Sequence, residues 1–258
     1  VLRTIGNPEE RFQEDALRLF RACRFIAKLD FMPDKALLKA MPTAFHRVSG
    51  LSLERVRSEL DRLLLEPAVA KGLDVFVQSR LAECTCRMVE NGESREIPIL
   101  PELYHLVGLP QEKAFHEFDG WYHTLAVVSE TEPDLTLRWG ALLHDVAKGM
   151  PSIRQVINGR YTDRGHDNLG SQMAYDILIR LGYNKKFASR VSWIVKNHMR
   201  FHFFVQNEEA DEKKWIRKEA RSGEFRDSQG MREAWQQLAK VCAADVLGCG
   251  KPYSVTDG

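Results

Sequence analysis

The stretch "LRWGALLHDVAKG", residues 137–149, places a histidine and an aspartate at the end of an apolar segment. Its apolar residues recur at helical spacing, so we predict a half-buried helix over 134–147. Burying an imidazole and a carboxylate without partners costs free energy. His144 and Asp145 should therefore have a function that compensates for burial, and Lys148 follows them by one turn. The pattern predicts a polar site at the end of a buried helix.

The composition is typical of a globular protein, with 44% hydrophobic and 28% charged residues in a chain of 258. The 37 basic and 36 acidic residues leave a net charge of +1, which argues against a strong general attraction to nucleic acid or membranes but allows a local basic patch. No apolar run approaches the roughly 20 residues that span a bilayer. The five cysteines are scattered and predict no disulfide framework, which favours the reducing cytoplasm.

Helical periodicity dominates the chain and predicts an all-α fold. The first helix has clear start signals, because Asn7 can cap it, Pro8 fits the first position and Glu10 completes a capping box. We expect this helix to run to about Leu29. The segment over 207–230 is strongly polar and is predicted to be a solvated helix or a loop. Further helices are predicted over 34–41, 53–65, 68–90 (one or two), 119–131, 134–147, 168–181, 184–198 and 231–247.

A change in composition near residues 100–115 predicts a domain boundary. Asn91-Gly92 is interpreted as following a helix, and a connector with turn-forming glycines and prolines continues to about Leu109. We therefore predict a first helical domain over residues 1–110 and a helical bundle over 111–258. The N-terminal VLRTIGNPEER matches neither a signal peptide nor a transit peptide and has no initiator methionine, so we expect a longer parent protein.

Imidazole and carboxylate groups together suit a first-row divalent cation. His123 precedes His144 by 21 residues, which fits one antiparallel helix, and Asp245 belongs to the predicted last helix. One ion bound by these three and by Asp145 would link three helices of a bundle. Other groups that could bind metal are His166, Asp167 and His198. The remaining histidines have no partner pattern and are expected to be ordinary core or surface residues: His46, His105, His116 and His202.

The order His…His-Asp…Asp resembles the HD-domain phosphohydrolase superfamily. The surrounding stretches "WYHTLAVVSE", "GHDNLGSQMA" and "IVKNHMRF" occur in matching order, so the resemblance covers roughly 119–247. It implies a helical bundle with the metal ligands His123, His144, Asp145 and Asp245. It also implies that His166 and His198 bind a second metal or the substrate phosphate, and that Lys148 contacts this phosphate as a point charge.

The resemblance implies metal-dependent hydrolysis of phosphoesters. Lys148, and His166 when protonated, would offset charge on the phosphoryl oxygens, while Asp145 would also orient the attacking water. The metal stays open among manganese, nickel, cobalt, iron, zinc and magnesium, although imidazole ligands count against a purely magnesium site. The residues implied to act in catalysis are Asp145, Lys148, His166 and His198.

The stretch "IGNPEERFQEDALRLFRACRFIAKLDF", residues 5–31, carries carboxylates and guanidinium groups on one predicted helical stripe. An ordinary solvated salt-bridge face is the simpler interpretation. The stretch also resembles the E-D-x-x-R helix of bacterial-type tRNA nucleotidyltransferases and poly(A) polymerases, the CCA-adding enzymes. "LSLERVRSELDRLLLEP", residues 51–67, resembles the helical neck of the same family. The resemblance implies that CTP or ATP is recognised by Glu14, Asp15, Arg18 and Arg21.

The chain departs from this family in one respect, because no Gly-Ser followed by D-x-D marks a nucleotidyl-transfer head domain. We expect the head to precede Val1, so that residues 1–110 are the neck and 111–258 the HD domain, and nucleotide addition is not expected from this chain alone. The implied partners are tRNA or an RNA 3′ end, with CTP and ATP when the head is present. Alternatives are a free-standing HD nucleotidase and a catalytically silent tRNA-binding module. RNA binding would depend on Arg18, Arg21, Arg24, Arg55, Arg57 and Arg62.

Overall fold

The computed structural model describes residues 1–207, 211–222, 225 and 227–250. The first part of these ranges contains helices α1 Pro8–Glu14, α2 Leu17–Leu29, α3 Lys35–Ala40, α4 Leu53–Leu64 and α5 Val69–Gln78. The second part contains α6 Gly120–Glu130, α7 Leu135–Leu143, α8 His166–Arg180, α9 Lys185–Gln206, α10 Glu212–Ala220 and α11 Ser228–Gly248. Two antiparallel hairpins join strands β1 Thr85–Glu90 to β2 Glu93–Pro98, and β3 Gln155–Ile157 to β4 Arg160–Thr162. The predicted all-α fold is confirmed, with these hairpins as small additions.

Most helices begin at an asparagine or aspartate whose side chain accepts a hydrogen bond from a backbone N–H two or three residues later. Such a cap satisfies one of the N–H groups that a helix start leaves free. The starts of α6, α9 and α11, which carry His123, His198 and Asp245, are therefore fixed by local chemistry, whereas α8 begins after Gly165 without a side-chain cap. The caps are Asn7, Asp34, Asp119, Asp134, Asn184, Asp211 and Asp227.

The prediction of one helix from Asn7 to Leu29 is wrong at its middle. Asp15 is extended, with φ −146° and ψ 103°, and separates α1 from α2. Its carboxylate accepts a hydrogen bond from the N–H of Leu17 at 3.0 Å, which gives the backbone an alternative to the continuing helix. The expected single stripe over residues 14–21 is therefore split between two helices.

The prediction of helix through residue 90 is also wrong. Asn91 and Gly92 both have positive φ, 53° and 83°, as the two central residues of a type I′ hairpin require. A second Asn-Gly pair, Asn158-Gly159, likewise has positive φ at both residues and joins β3 to β4. Asn-Gly therefore forms the hairpin turn at both places.

A continuous apolar cluster runs from the first helices into the bundle. Helices α2 and α5 approach closely at Gly72, where a Cβ atom would lie 2.5 Å from the carbonyl oxygen of Cys23. Helix α5 then contacts α6, because the indole Nε1 of Trp121 donates to Asp74 at 3.0 Å. The boundary near 100–115 stays a prediction.

A polar contact fixes α4 against the bundle. The hydroxyl of Tyr183 donates to the carboxylate of Asp61 and accepts a hydrogen bond from Nε1 of Trp139 at 3.1 Å. Arg57 donates to the carbonyl oxygen of Gly182 beside it. Burial raises the pKa of Asp61, and the hydrogen bond from Tyr183 only partly offsets this effect.

A second, smaller apolar cluster joins α9, α10 and α11. The rings of Phe204 and Trp215 stack with centroids 4.8 Å apart, and Trp215 contacts Trp235 edge to face at 4.3 Å. This cluster holds α10 against the bundle. Among the described residues, no helix combines the length and the apolarity that crossing a bilayer requires.

Candidate metal centre

Six ionisable side chains from five parts of the bundle converge in its interior. They come from α6, from the turn after α7, from α8, from α9 and from α11. None of them exposes more than 9% of its surface, so each needs a polar partner. They are His123, His144, Asp145, His166, His198 and Asp245.

The turn after α7 ends the helix earlier than predicted. Helix α7 stops at Leu143, and the N–H groups of Val146 and Lys148 donate to carbonyl groups three residues back instead of four. The carboxylate of Asp145 bends towards its neighbour, so that Oδ2 lies 3.2 Å from Nε2 of His144. Two adjacent residues therefore contribute to one site.

The first half of the site contains the four ligands expected from the sequence. The Nε2 atoms of His123 and His144 are 3.2 Å apart. Oδ1 of Asp245 lies 3.1 Å from Nε2 of His123 and 3.7 Å from that of His144. Oδ2 of Asp145 completes the group, 3.5 Å from Nε2 of His123. Two imidazole nitrogens and two carboxylate oxygens thus face one another.

The second half shares Asp145. The Nε2 atoms of His166 and His198 are also 3.2 Å apart. Oδ1 of Asp145 lies 3.2 Å from the first and 3.9 Å from the second. The carboxylate of Asp145 therefore lies between two histidine pairs, with one oxygen directed to each.

Backbone contacts fix the tautomer of all four histidines. In each ring, Nδ1 lies 2.6–3.2 Å from a backbone carbonyl oxygen. Because a carbonyl oxygen only accepts, each Nδ1 must donate, and the neutral ring then presents a lone pair at Nε2. The carbonyl partners of His123, His144, His166 and His198 are those of Gly248, Ala141, Asp163 and Val195.

Charge at the site favours a cation. Burial opposes ionisation of Asp145 and Asp245, but the neighbouring histidines outweigh it and hold the pKa of both carboxyls well below the usual range. Burial alone would lower the pKa of His144, yet the charge of Asp145 raises it to about 9. By contrast, burial and then the charge of His166 lower the pKa of His198 to about 3, which keeps this ring neutral.

Lys148 lies at the edge of the centre. Its ammonium nitrogen is 2.6 Å from Oδ2 of Asp145 and 3.2 Å from the side-chain oxygen of Gln111. Burial opposes its charge, but Asp145 and Asp245 raise the pKa of Lys148 above its usual value. With 13% of its side chain exposed, it is a cation that an entering anion could reach.

Helix α11 reaches the centre through a close contact with α6. A Cβ atom at Gly248 would lie 2.6 Å from Cγ2 and 2.9 Å from the backbone nitrogen of Val127. Glycine at this position lets the two helices approach. The contact also brings the carbonyl oxygen of Gly248 to His123 and the carboxylate of Asp245 into the site.

Two family models match different parts of the chain, and curated relatives cover about three quarters of it. A family model described as "HD domain" matches residues 121–221, and one described as "Probable RNA and SrmB- binding site of polymerase A" matches 30–87. An A-adding tRNA nucleotidyltransferase of Deinococcus radiodurans is 32% identical over 209 residues, covering 77% of this chain and 44% of that protein. A CC-adding tRNA nucleotidyltransferase of Thermus thermophilus is 33% identical over 206 residues, covering 74% and 43%. The chain belongs to the tRNA nucleotidyltransferase family.

The fold agrees with this family. The crystal structure of the Bacillus stearothermophilus CCA-adding enzyme in complex with CTP matches 97% of this chain with a TM-score of 0.55 and 18% identity. The match covers 46% of the Bacillus enzyme. The chain likewise spans less than half the length of the two nucleotidyltransferases above. Asp245 lies outside the segment that matches the HD model, so its assignment depends on the geometry.

The residues expected to recognise nucleotides in this family lie around the break between α1 and α2. Glu14 pairs with Arg18 at 2.6 Å, whereas Asp15 faces Arg21 at 3.5 Å and Arg55 at 3.8 Å. The structure therefore divides the expected set into two local pairs. Their role in this chain stays a prediction.

Most of the arginines expected to bind RNA are close to acidic groups. The buried carboxylate of Glu59 lies 3.4 Å from Arg21, 3.1 Å from Arg24 and 4.0 Å from Arg62. Part of the positive charge of α2 and α4 is thus neutralised within the protein.

Two histidines that were expected to be ordinary lie against the centre. Nε2 of His202 is 2.9 Å from Oδ2 of Asp245, and the ring of His116 contacts His123 edge to face at 4.7 Å. Spacing could have indicated His202, because it follows His198 by four residues and so shares its helix face. His116 precedes α6, and no periodic pattern connects it to the site.

Proposed function

We propose that the HD domain of this chain is a divalent-metal-dependent phosphohydrolase. The observation that supports this most strongly is the position of Asp145 between two histidine pairs. With both Nδ1 atoms donating to carbonyl groups, the facing Nε2 atoms of two neutral rings are both acceptors, 3.2 Å apart, so a shared proton or a cation must bridge them. Neither oxygen of Asp145 accepts a well-directed hydrogen bond from the described residues, although Lys148 is near. A cation would satisfy both groups.

The donor set suits a first-row divalent metal. Imidazole nitrogens with carboxylate oxygens favour manganese, iron, cobalt, nickel or zinc over magnesium. His123, His144, Asp145 and Asp245 would hold one ion, and Asp145, His166 and His198 are close enough together to hold a second. The high pKa of His144 supports this, because the same negative surroundings that favour a proton on Nε2 would favour a metal there.

A bound ion supplies Lewis acidity and an acidified water. The protein's own groups then have distinct tasks. Lys148 would neutralise charge on the phosphoryl oxygens, as would His166 when protonated. Asp145 would accept a hydrogen bond from the attacking water and so orient it. His198, held neutral by burial, would keep its nitrogen available as a ligand.

Because the relatives are named as tRNA nucleotidyltransferases, we propose phosphoesters of RNA as substrates, such as 2′,3′-cyclic phosphates or phosphate at an RNA end. We propose tRNA or an RNA 3′ end as the partner. We further propose that Glu14, Asp15, Arg18 and Arg21 bind CTP or ATP together with a head domain.

All five cysteines are free thiols, which supports a cytoplasmic location for the protein.

A hydrolysis screen tests the main proposal. Purified chain would be incubated with each divalent metal and with cyclic phosphates, RNA end phosphates and mononucleotides. We expect the double variant His144→Ala, Asp145→Ala to lose phosphate release, while the exposed control His46→Ala retains it. Unchanged turnover in the double variant would exclude this site, and preference for mononucleotides would indicate a free-standing nucleotidase. Binding of tRNA in EDTA without any hydrolysis would indicate a silent binding module.

A further inference from the structure

A groove lies between the end of α9 and α10, outside the metal centre. Its volume is about 860 Å³, and it is lined mainly by basic and aromatic side chains. Asp211 is its one acidic lining residue among those described, and this carboxylate caps α10 through the N–H of Lys214. The cations that line the groove are Arg200, Lys214, Arg217, Lys218 and Arg221.

Four of these cations form one stripe on α10. Lys214, Arg217, Lys218 and Arg221 are spaced i, i+3, i+4 and i+7, so they share a helix face, and all four are exposed. Their span of seven residues is about 10 Å along the helix axis, so the stripe presents several positive charges close together to an anionic chain.

No described acidic side chain pairs with the five groove cations. This distinguishes the groove from the neck, where Glu14 and Glu59 pair with arginines. Like charges at i, i+4 destabilise a helix by themselves. An anionic partner would relieve this repulsion without first having to displace a carboxylate of the described residues.

The aromatic groups suit a ligand with both bases and phosphates. Phe203 exposes 56% of its surface at the groove, and the guanidinium of Arg200 lies 4.9 Å from the ring centroid of Trp215. The indole Nε1 of Trp215 is buried and has no acceptor among the described residues. Exposed aromatic rings beside cations offer stacking surfaces for bases next to phosphate contacts.

The groove adjoins the metal centre along α9. Phe203 follows His198 by five residues, about 8 Å of axial rise, and follows His202 directly. An RNA strand held in the groove would therefore lie against the same helix that contributes His198 to the metal centre.

We propose that the groove between α9 and α10 binds a single RNA strand through its phosphates, with Phe203 available to stack on a base. This inference rests on the proposed function for the choice of RNA, and it adds a contact surface in the HD domain to the predicted one in the neck.

The test measures binding of a labelled, short single-stranded RNA by fluorescence anisotropy, with EDTA present to prevent hydrolysis. The variant Arg217→Ala, Lys218→Ala removes two groove cations. The matched control Lys185→Ala, Lys186→Ala removes two exposed cations at the start of α9. All four positions are exposed, and equal melting temperatures would verify that the variants fold.

Each phosphate contact on a single strand contributes about 0.7 to the slope of log K against log salt. The slope for the groove variant should therefore be smaller by about 1.4. When the salt falls from 1 M to 0.1 M, the affinity of this variant should rise about 25-fold less than that of the wild type. The control should match the wild type. Equal slopes in all proteins, equal losses in both variants, or no binding by the wild type would overturn the proposal. Displacement of the RNA by a millimolar mononucleotide would overturn it in favour of a small-anion site.

Failure of this proposal can be distinguished from failure of the hydrolase proposal. The variant His144→Ala, Asp145→Ala should bind the RNA with the wild-type salt slope while releasing no phosphate. Loss of RNA binding in that variant would place the RNA contact in the metal centre and contradict a separate groove.

Discussion

Substituting Gly248 by alanine should disturb the metal centre, although Gly248 is not one of the expected metal ligands. The added Cβ would lie 2.6 Å from Cγ2 and 2.9 Å from the backbone nitrogen of Val127. Ordinary contacts between carbon atoms are about 3.5–4.0 Å, so α11 must move away from α6 by roughly 1 Å. This movement would separate Asp245 from His123, whose Nε2 lies only 3.1 Å from the carboxylate, and lengthen the 3.2 Å contact between His123 and the carbonyl group of residue 248.

The size of the effect follows from two opposing contributions. Alanine is favoured over glycine in a helix by about 1 kcal/mol. Overpacking costs about 1–3 kcal/mol, so the free energy of unfolding should fall by roughly 0–2 kcal/mol. Metal affinity should fall more clearly, by about 10-fold to 100-fold, as when a ligand loses its supporting contact. Gly170→Ala is the matched control, because its Cβ would meet its nearest neighbour, Val195, at an ordinary 3.4 Å.

Thermal unfolding and calorimetric titration with Mn²⁺ measure the two effects. We expect Gly248→Ala to unfold at the same or a lower temperature than the wild type and to bind Mn²⁺ more weakly, while Gly170→Ala binds it normally. Wild-type Mn²⁺ affinity in Gly248→Ala would refute the argument that this helix contact positions the ligands.

Three further changes test other parts of the structure. His202→Ala should weaken Mn²⁺ binding about 10-fold by removing the hydrogen bond to Asp245, and His202→Gln, which can donate the same bond, should restore much of it. Lys148→Ala should lower kcat/KM for phosphoester hydrolysis at unchanged metal content, as activity assays and metal analysis would show. Because the pKa of Asp61 is raised above 3.8, this group favours folding in acid and loses that contribution as the pH rises. Asp61→Asn should therefore gain melting temperature relative to the wild type between pH 4 and pH 7, and a constant difference would contradict the raised pKa.

Local signals in the sequence predicted the all-α fold and several helix starts, and they singled out the residues that converge in the bundle. The cap at Asn7 marks a helix start as expected, and His144 and Asp145 are unusual in an apolar segment. The spacing of His123 before His144 matches one antiparallel helix and its turn. These features need no knowledge of the tertiary structure.

The remaining features depend on contacts that periodicity does not encode. The side chain of Asp15 competes with the helix backbone and interrupts it, and only its observed conformation reveals this. The shared position of Asp145 between two histidine pairs requires α8 and α9 to pack beside α7. Glu59 lies in the stretch that resembles the neck, but its contacts with arginines of α2 arise only when α2 and α4 pack together.

If Asp145 holds a metal ion between the histidines, as we propose, the metal content of the protein shows it most directly. Wild-type protein and Asp145→Asn would each be equilibrated with Mn²⁺, desalted and analysed by mass spectrometry for bound metal. Asparagine keeps the shape of the side chain but removes its charge, so the fold should persist. We expect at least one equivalent of metal in the wild type and a large loss in the variant. Equal metal in both proteins, or none in the wild type, would contradict it.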